Sequence, residues 1–579
     1  MKTIKIFCIL FFPFFVFAQS TNLVTNPGFE KGTNSWVVRT AELDNSVKHT
    51  GKTSLKYTNS DAGKYQVVVT HINVNGGETF RFSAWVKGKD IGRKDYGKKG
   101  AGIYLHAYDK AGKALGGANP PTPSGTFDWT ETEGVFVVPK AAKKIAVSLY
   151  LVQGNTGTAW FDDITVEPYD LRELSSSDLN LGVVAASAVA EYASKKALSS
   201  ATKESLEKTA TSAIKRQATN SSSVFDSEGF LIKDGKRFFP FGIYLGKADK
   251  QGIWKNVDVH LSRIKDAGFN SVLSYTYGDN ADASDYLDKL ASHGLNGIYS
   301  LAYFYDGYID YNPRDNQTAA KRIAELVSSL KDKSPLLAWY AGDEIEMSHI
   351  LAAKQNYNLI KSIDHVRPVV QITNKPEMLP YLIGAADAVG TDPYPIGKKI
   401  TVPNIKAVSR SANSVAQVTQ PGIHKGMWQV IQIFNKVGFQ GKIDNTWADP
   451  TYEQMENMLF QSVISGAKGI LFYAYHQLWW GNDSQGRGGF SEATYQRRWA
   501  DVAKLSKRFN DVIIPIILKN DVVQVDGLKS DGDVVYKAWK YNGTVHLMVA
   551  NLENKQVTIT IPKKEPLKLA AQGTAFVKI

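Results

Sequence analysis

Between residues 238 and 475, short apolar runs alternate with segments in which apolar residues recur every three to four positions. The runs fall at 238–244, 270–276, 297–303, 336–342, 369–373, 388–392, 427–433 and 469–475, and most are rich in β-branched and aromatic residues, as strands are. Helical periodicity fills intervals between them, at 257–267, 281–293, 318–330 and 452–464. Strands apolar along their whole length are buried on both faces, and strands separated by helices run parallel. Eight such units predict a closed (β/α)8 TIM barrel over 225–512. An open doubly wound sheet would normally begin with a G-x-G-x-x-G turn, whereas the first strand here leads into Leu245-Gly246-Lys247.

Residues 20–168 follow a period of two instead. Ile103, Leu105 and Ala107 alternate with Tyr104, His106 and Tyr108; Phe80, Phe82 and Ala84 oppose Trp85; Val147 and Leu149 oppose Tyr150. Each strand then has an aliphatic face for a core and an aromatic, polar face for the outside, the pattern of an N-terminal β-sandwich. Residues 169–224 shift to Ala, Ser, Lys and Glu with few rings, which predicts a helical connector. Strands return over 513–579, where Asn542-Gly543 separates the apolar runs 534–541 and 545–551 as a hairpin turn does. The chain is therefore predicted to be multidomain, with a small C-terminal β-sandwich after the barrel.

Composition narrows the class. The 579 residues exceed a single core, and 43% apolar with 21% charged residues excludes a disordered or collagen-like chain. Lys2 and Lys5 precede the apolar run 6–17, and Val16-Phe17-Ala18 offers a small residue before Gln19, so residues 1–18 read as a cleaved signal peptide. Export to the periplasm or exterior is expected. Cys8, the single cysteine, lies inside that signal, which leaves the mature chain without disulfides, zinc-thiolate sites or a cysteine nucleophile. No later stretch suits a membrane span. Lys and Arg total 68 against 56 Asp and Glu, a net +12 that suits an acidic partner without requiring nucleic acid, and none is expected. Rings make up 11% of residues, with 12 Trp and 27 Tyr. They serve large cores or stack on sugars.

Catalytic groups of such barrels lie at the C-terminal ends of the strands. In order these ends carry Tyr244; Tyr275; Tyr303, Tyr305 and Asp306; Asp343-Glu344; Asn374; Asp392-Pro393-Tyr394; Gln432; and Tyr473, Tyr475, His476, Trp479 and Trp480. Rings stack on the apolar faces of sugars while carboxyls move protons at a glycosidic oxygen, so this rim fits a sugar-cleaving site. It has no histidine pair at metal-ligand spacing, and no cofactor is expected for catalysis. An acid at the tip of a buried strand is partly desolvated, which raises its pKa toward that of a proton donor. Glu344 and Asp343 lead on that ground, with Asp392 third. Glu346 and His349 fall in the first helical turn beyond the pair and are not counted.

With Asp234-Gly235-Lys236-Arg237-Phe238-Phe239-Pro240-Phe241-Gly242 at its entry and Trp339-Tyr340-Ala341-Gly342-Asp343-Glu344 at strand four, the barrel resembles the clan A glycoside hydrolases, whose acid/base Glu follows strand four. The chain departs from that clan twice: Gln432 stands where the clan has a nucleophilic Glu, and Asp343 where it has Asn. The Asp-Glu tandem is similar to that of retaining N-acetylhexosaminidases using substrate assistance. That resemblance implies Glu344 as acid/base, Asp343 as the group that orients a 2-acetamido substituent, and no need for a strand-seven carboxylate. Asp392 stays open as an inverting base, an unusual nucleophile, or a carboxylate fixing the turn before Pro393.

Asn26-Pro27-Gly28-Phe29-Glu30, Trp36, Gly51-Lys52-Thr53-Ser54-Leu55 and Trp160-Phe161-Asp162-Asp163-Ile164 make the first domain resemble the jelly-roll carbohydrate-binding modules of polysaccharidases. The resemblance implies glycan contact through rings such as Trp85, Tyr104 and Tyr108, and a structural calcium mapping onto Glu30 and Asp162. The C-terminal strands look like the small β-sandwich that packs beside glycosidase barrels. The leading expectation is an exported glycoside hydrolase acting on a polysaccharide, acetamido-containing or anionic. Its rival is a non-catalytic glycan-binding protein with a degenerate barrel, which Gln432 favours. A lyase would need a Tyr/His/Arg cluster beside a neutralised uronate, and none stands out.

Overall fold

The computed structural model describes residues 22–93, 100–171, 224–245, 256–274, 280–302, 319–439, 446–479 and 492–579. The expected signal at 1–18 and most of the expected connector, 172–223, lie outside them.

Among the described residues the N-terminal domain is a β-sandwich of nine strands: β1 (Glu42–Asp44), β2 (Ser54–Asn59), β3 (Val67–Asn73), β4 (Thr79–Gly92), β5 (Ala101–Tyr108), β6 (Ala114–Ala118), β7 (Gly125–Val137), β8 (Lys144–Leu151) and β9 (Thr156–Pro168). They form two antiparallel sheets, ordered β1-β2-β9-β4-β7 and β3-β8-β5-β6. The period of two works as predicted. Ile103, Leu105 and Ala107 of β5 are wholly buried, while Tyr104, His106 and Tyr108 stand partly open on the outer side. The inner faces enclose a core of Leu55, Phe82, Val86, Ile103, Val147, Leu149 and Phe161.

After a short hairpin, β10 (Leu231–Lys233) with β11 (Lys236–Phe238), the barrel closes from β12 (Phe241–Tyr244), β13 (Ser271–Ser274), β14 (Asn296–Ser300), β15 (Leu336–Asp343), β16 (Val369–Thr373), β17 (Ala388–Thr391), β18 (Gly426–Gln432) and β19 (Gly469–Tyr473). All eight pair in parallel in chain order, and β19 returns to β12 through Phe241↔Ile470 and Ile243↔Phe472. Each lies within or close to its predicted run. Around them are α1 (Val257–Asp266), α2 (Asn280–Ser292), α3 (Ala319–Leu330), α4 (Ile350–Ile363), α5 (Leu379–Leu382), α6 (Lys406–Val418), α7 (Tyr452–Ile464) and α8 (Glu492–Arg508). Alternation along the strands sorts side chains into two cores. Tyr244, Leu273, Tyr340, Val370, Ile372 and Trp428 fill the barrel interior, while Trp339, Ala341, Val369 and Phe472 face the helices. Gly390 permits the approach of β17 to β18, since a Cβ there would stand 1.7 Å from the Trp428 carbonyl oxygen.

Helical structure persists past the barrel through α9 (Ile514–Lys519), with Pro515 in its first turn. The Ile513-Ile514-Pro515-Ile516-Ile517 run reads as strand by composition, yet strands resume only at Val522. They are β20 (Val522–Val523), β21 (Lys529–Ser530), β22 (Val534–Tyr541), β23 (Thr544–Asn551), β24 (Val557–Thr560), β25 (Leu567–Leu569) and β26 (Thr574–Lys578), in sheets ordered β20-β22-β23-β26 and β21-β24-β25. The Asn542-Gly543 turn has positive φ at both residues, +48° and +79°, which matches the twist of the β22–β23 hairpin. Asn457 of α7 fastens these sheets to the barrel by donating to the Asn551 and Gln572 carbonyls, both at 2.8 Å.

Candidate active site

The site grows from a defect in β15. The pairing of β15 with β16 shifts register between Tyr340 and Gly342, so Ala341 is an extra residue, a β-bulge. Tyr340 pairs with Val370 and Asp343 with Ile372, two residues of the barrel interior. In an unbroken strand residues three apart point to opposite faces. The bulge returns Asp343 to the face of Tyr340, whose hydroxyl donates to Asp343 Oδ1 at 2.6 Å. The Tyr244 hydroxyl in turn donates to the Tyr340 oxygen at 3.3 Å.

Glu344 follows with φ +51°, a left-handed conformation that costs a non-glycine residue on the order of 1–3 kcal/mol. Its amide is held by the Ile372 carbonyl at 2.9 Å. The side chain reaches solvent, but its carboxyl is crowded by the strand ends. Burial and the neighbouring Asp343 charge raise it above the ordinary carboxylate range, against hydrogen bonds from Asp392 and Asn374 and the charge of Lys375. Asp392, at the end of β17, is only 6% exposed, and its Oδ1 is buried without a hydrogen-bond partner. Burial, then the Asp343 and Glu344 charges, push Asp392 well up, so it favours the neutral acid. Tyr394 hydrogen-bonds Asp392, and Tyr473 closes the group with its ring centroid 5.8 Å from Tyr394 and 5.1 Å from Tyr244. Three carboxyls and four tyrosines thus meet at the C-terminal mouth.

A raised carboxyl carries a penalty that depends on pH. Folded Asp392 holds its proton more tightly than the unfolded chain does, so stability is lost as pH rises from the unfolded value of 3.8 through the folded one. Asp392→Asn removes that loss. The variant is expected to melt about 2–4 °C above wild type near pH 7, the gap closing toward about pH 4, by calorimetry across pH.

Three rim assignments, Gln432, Tyr475 and Trp479, are corrected by the structure. Tyr475 is wholly buried among the helices, its hydroxyl within hydrogen-bond distance of His260 and Tyr495. Gln432 does not face the mouth: it is wholly buried, with Nε2 donating to the Ile396 and Phe434 carbonyls at 3.0 and 3.1 Å and Oε1 accepting from the Ile396 amide at 2.9 Å. It pins the turn after Asp392. Trp479 is 7% exposed and stacks on Tyr495 of α8 at 3.9 Å, because the 3-10 turn Tyr475–Trp479 carries it back among the helices. Asn374 lies beside Glu344, to which its side chain hydrogen-bonds. Tyr275, Tyr303, Tyr305 and Trp480 lie outside the described residues. Two further residues of the site, Tyr340 and Lys375, are not marked by the strand-end pattern. For Tyr340 no signal existed without the bulge; for Lys375 its place next to Asn374 was one.

In the sandwich, Tyr104, His106, Tyr108 and Tyr150 form a contiguous row on the outer side of the β3-β8-β5-β6 sheet, with His106 stacked on Tyr108 at 4.8 Å. Trp85 belongs to the other sheet and stacks on His49 at 3.8 Å, so it shares no surface with that row. Glu30 and Asp162 converge on Gly28, where a Cβ would stand 3.2 Å from Asp162 Oδ1 and 3.9 Å from Glu30 Cγ. Glu30 Oε1 accepts from the Lys52 and Thr53 amides, and Asp162 from those of His49, Thr50 and Asp163. Calcium takes six to eight oxygens. Among the described residues no group of three or more His, Cys, Asp or Glu could hold a metal, so a calcium at Glu30 and Asp162 would take its remaining oxygens from backbone carbonyls and water. As placed, both carboxylates staple loops.

Residues 21–156 match the family model of a carbohydrate binding domain. Among curated proteins, the tRNA3(Ser)-specific nuclease WapA of Bacillus spizizenii is 28% identical over 172 residues, 28% of this chain and 7% of that protein. The tRNA nuclease WapA of Bacillus subtilis is 27% identical over the same shares. This chain therefore spans 7% of the length of these relatives, and the nuclease activity in their names is theirs. Among solved structures, the CBM22-1–GH10 modules of a Clostridium thermocellum endo-1,4-β-D-xylanase 10B align over 84% of this chain and 97% of that one, at 11% identity and a TM-score of 0.30. A glycoside hydrolase family 5 protein from Bacteroides vulgatus covers 61% and 90%, at 12% identity and 0.41. Likeness at that level says nothing of what this chain acts on. No described helix is long and apolar enough to cross a membrane.

Proposed function

We propose that this chain is an exported glycoside hydrolase acting on an acetamido-containing polysaccharide, with Glu344 as proton donor and Asp343 as its assistant. The observation that carries the reading is the meeting of Glu344 and Asp392, both raised, beside an Asp343 fixed by Tyr340. A carboxyl held above its ordinary range keeps a proton to give near neutral pH, which is what a general acid needs. Glu344 gives its proton to the glycosidic oxygen as the C1–O bond breaks and the bonding pair leaves with that oxygen. The acetamido carbonyl oxygen bonds to C1, and the Asp343 carboxylate accepts the acetamido N–H. Water then attacks C1, returns the carbonyl oxygen to the acetamido group and gives one proton to Glu344. Neutral Asp392 donates to the Glu344 carboxylate in between.

The closeness of Asp392 to Glu344 favours this route over inversion. Inverting pairs stand roughly 6.5–9.5 Å apart and retaining pairs about 5 Å, to leave room for water or sugar. Two carboxyls sharing a hydrogen bond leave room for neither. The domain matched at 21–156 supports a glycan ligand, and the row Tyr104, His106 and Tyr108 supplies the rings for it.

The test is a panel of acetamido-sugar and uronic-acid polymers, followed by reducing-end release and by NMR of the first anomer formed. Release with retention from the acetamido polymers is the expected result. Release with inversion, or from polymers lacking an acetamido group, removes substrate assistance. No release from any polymer, with binding retained, leaves the glycan-binding reading that Gln432 favours, since its amide gives β18 no nucleophile.

A further inference from the structure

The two expected functions, glycan binding and bond cleavage, occupy separate domains, yet these domains are physically joined just behind Glu344. Strand β7 packs against the 3-10 turn Met347–His349 and against α4. Gly134 of β7 lies so near that turn that a Cβ would stand 2.6 Å from the Ser348 carbonyl oxygen. The next residue, Val135, is wholly buried and belongs to the apolar layer between barrel and helices, not to the sandwich core. Tyr169 and Leu171, where the sandwich ends, pack on the same layer. Beside this contact Gln355 of α4 donates to Glu133 Oε1. Glu133 is aligned from behind by Arg81, whose Nε donates to Oε2 at 2.8 Å.

From Glu344 to Ser348 the chain has little slack. Ile345 is buried in the helix layer, Glu346 is paired with Lys375, and the His349 amide closes on the Glu346 carbonyl at 2.9 Å. A left-handed Glu344 persists only if its surroundings hold it there. One side is held by Ile372; the other is the turn that β7 presses on.

We propose that the N-terminal sandwich is a positioning part of the catalytic centre: β7 braces the turn that sets Glu344, so the domain matters even for substrates too short to reach its own ring surface. Its kinetic consequence rests on the hydrolase reading; its structural one does not. Two variants of the full chain test it. Gly134→Val forces the joint open by sterics. Gln355→Glu sets a second carboxylate against Glu133 at an exposed helix position, so it breaks the joint even where the first variant folds poorly.

Hydrogen exchange over 344–350 is expected to quicken by about fivefold or more in both variants while β16 to β18 stay as in wild type. On a short soluble oligosaccharide cleaved by wild type, kcat is expected to fall about tenfold with KM within about twofold, since small misplacements of a reacting group cost that much or more. Unchanged exchange over 344–350 in Gln355→Glu overturns the proposal, whatever the activity. Quickened exchange in a protein that cleaves no glycan upholds the brace and removes only the hydrolase reading.

Discussion

Glu344→Gln is expected to slow cleavage of a natural glycosidic bond by about 10³-fold, within the 10²–10⁴ that a positioned general acid supplies. The exchange keeps the shape of the side chain and removes its transferable proton. The leaving alcohol must then depart as an alkoxide, so the loss grows with the basicity of the leaving group. A nitrophenyl glycoside, whose leaving group needs little protonation, is expected to lose far less at the glycosylation step. Binding of oligosaccharide and the melting temperature are expected to stay near wild type, because Glu344 reaches solvent and supports no core. Steady-state rates on the two substrate types check this. Equal losses on both, or none, mean that some other group delivers the proton.

Asp343→Asn is expected to lower kcat about 10²–10³-fold on acetamido substrates, the scale of one preorganised electrostatic contact in a protected site. The same change removes the charge that raises Glu344. Glu344 must be protonated to act, so activity is lost as pH rises through its pKa. With the Asp343 charge gone that pKa drops, and the high-pH limb of the rate profile should move to lower pH. Tyr340→Phe removes the donor to Asp343 Oδ1 and should reproduce a milder part of the kcat loss. A high-pH limb that stays in place in Asp343→Asn means the charge on Asp343 does not set the proton affinity of Glu344.

The barrel was legible because its strands are apolar throughout and its helices amphipathic, two periods that ordinary burial enforces. Seven rim positions, Tyr244, Asp343, Glu344, Asn374, Asp392, Tyr394 and Tyr473, come together because each sits at or just past a strand end. What escaped was set by local geometry. The bulge at Ala341 decides that Tyr340 touches Asp343, and a single inserted residue leaves no mark on an apolar run. Trp479 looked like a rim ring because it follows β19, but one helical turn carries it to Tyr495. In the sandwich the alternation separated inside from outside correctly. It does not distinguish which of two sheets an outward ring belongs to, and Trp85 lies on the sheet opposite Tyr104 and Tyr108.

The side chain of Gln432 also limits how this barrel could be re-engineered. Its amide nitrogen answers two carbonyls and its oxygen one amide, all buried. A glutamate there could donate at most one proton, so at least one carbonyl would lose its donor, and ionising the acid would strip both. Converting this protein to two-step displacement chemistry therefore cannot be done by one codon at position 432. The loop around Ile396 would have to be rebuilt first, and Asp392 is anchored to that same loop.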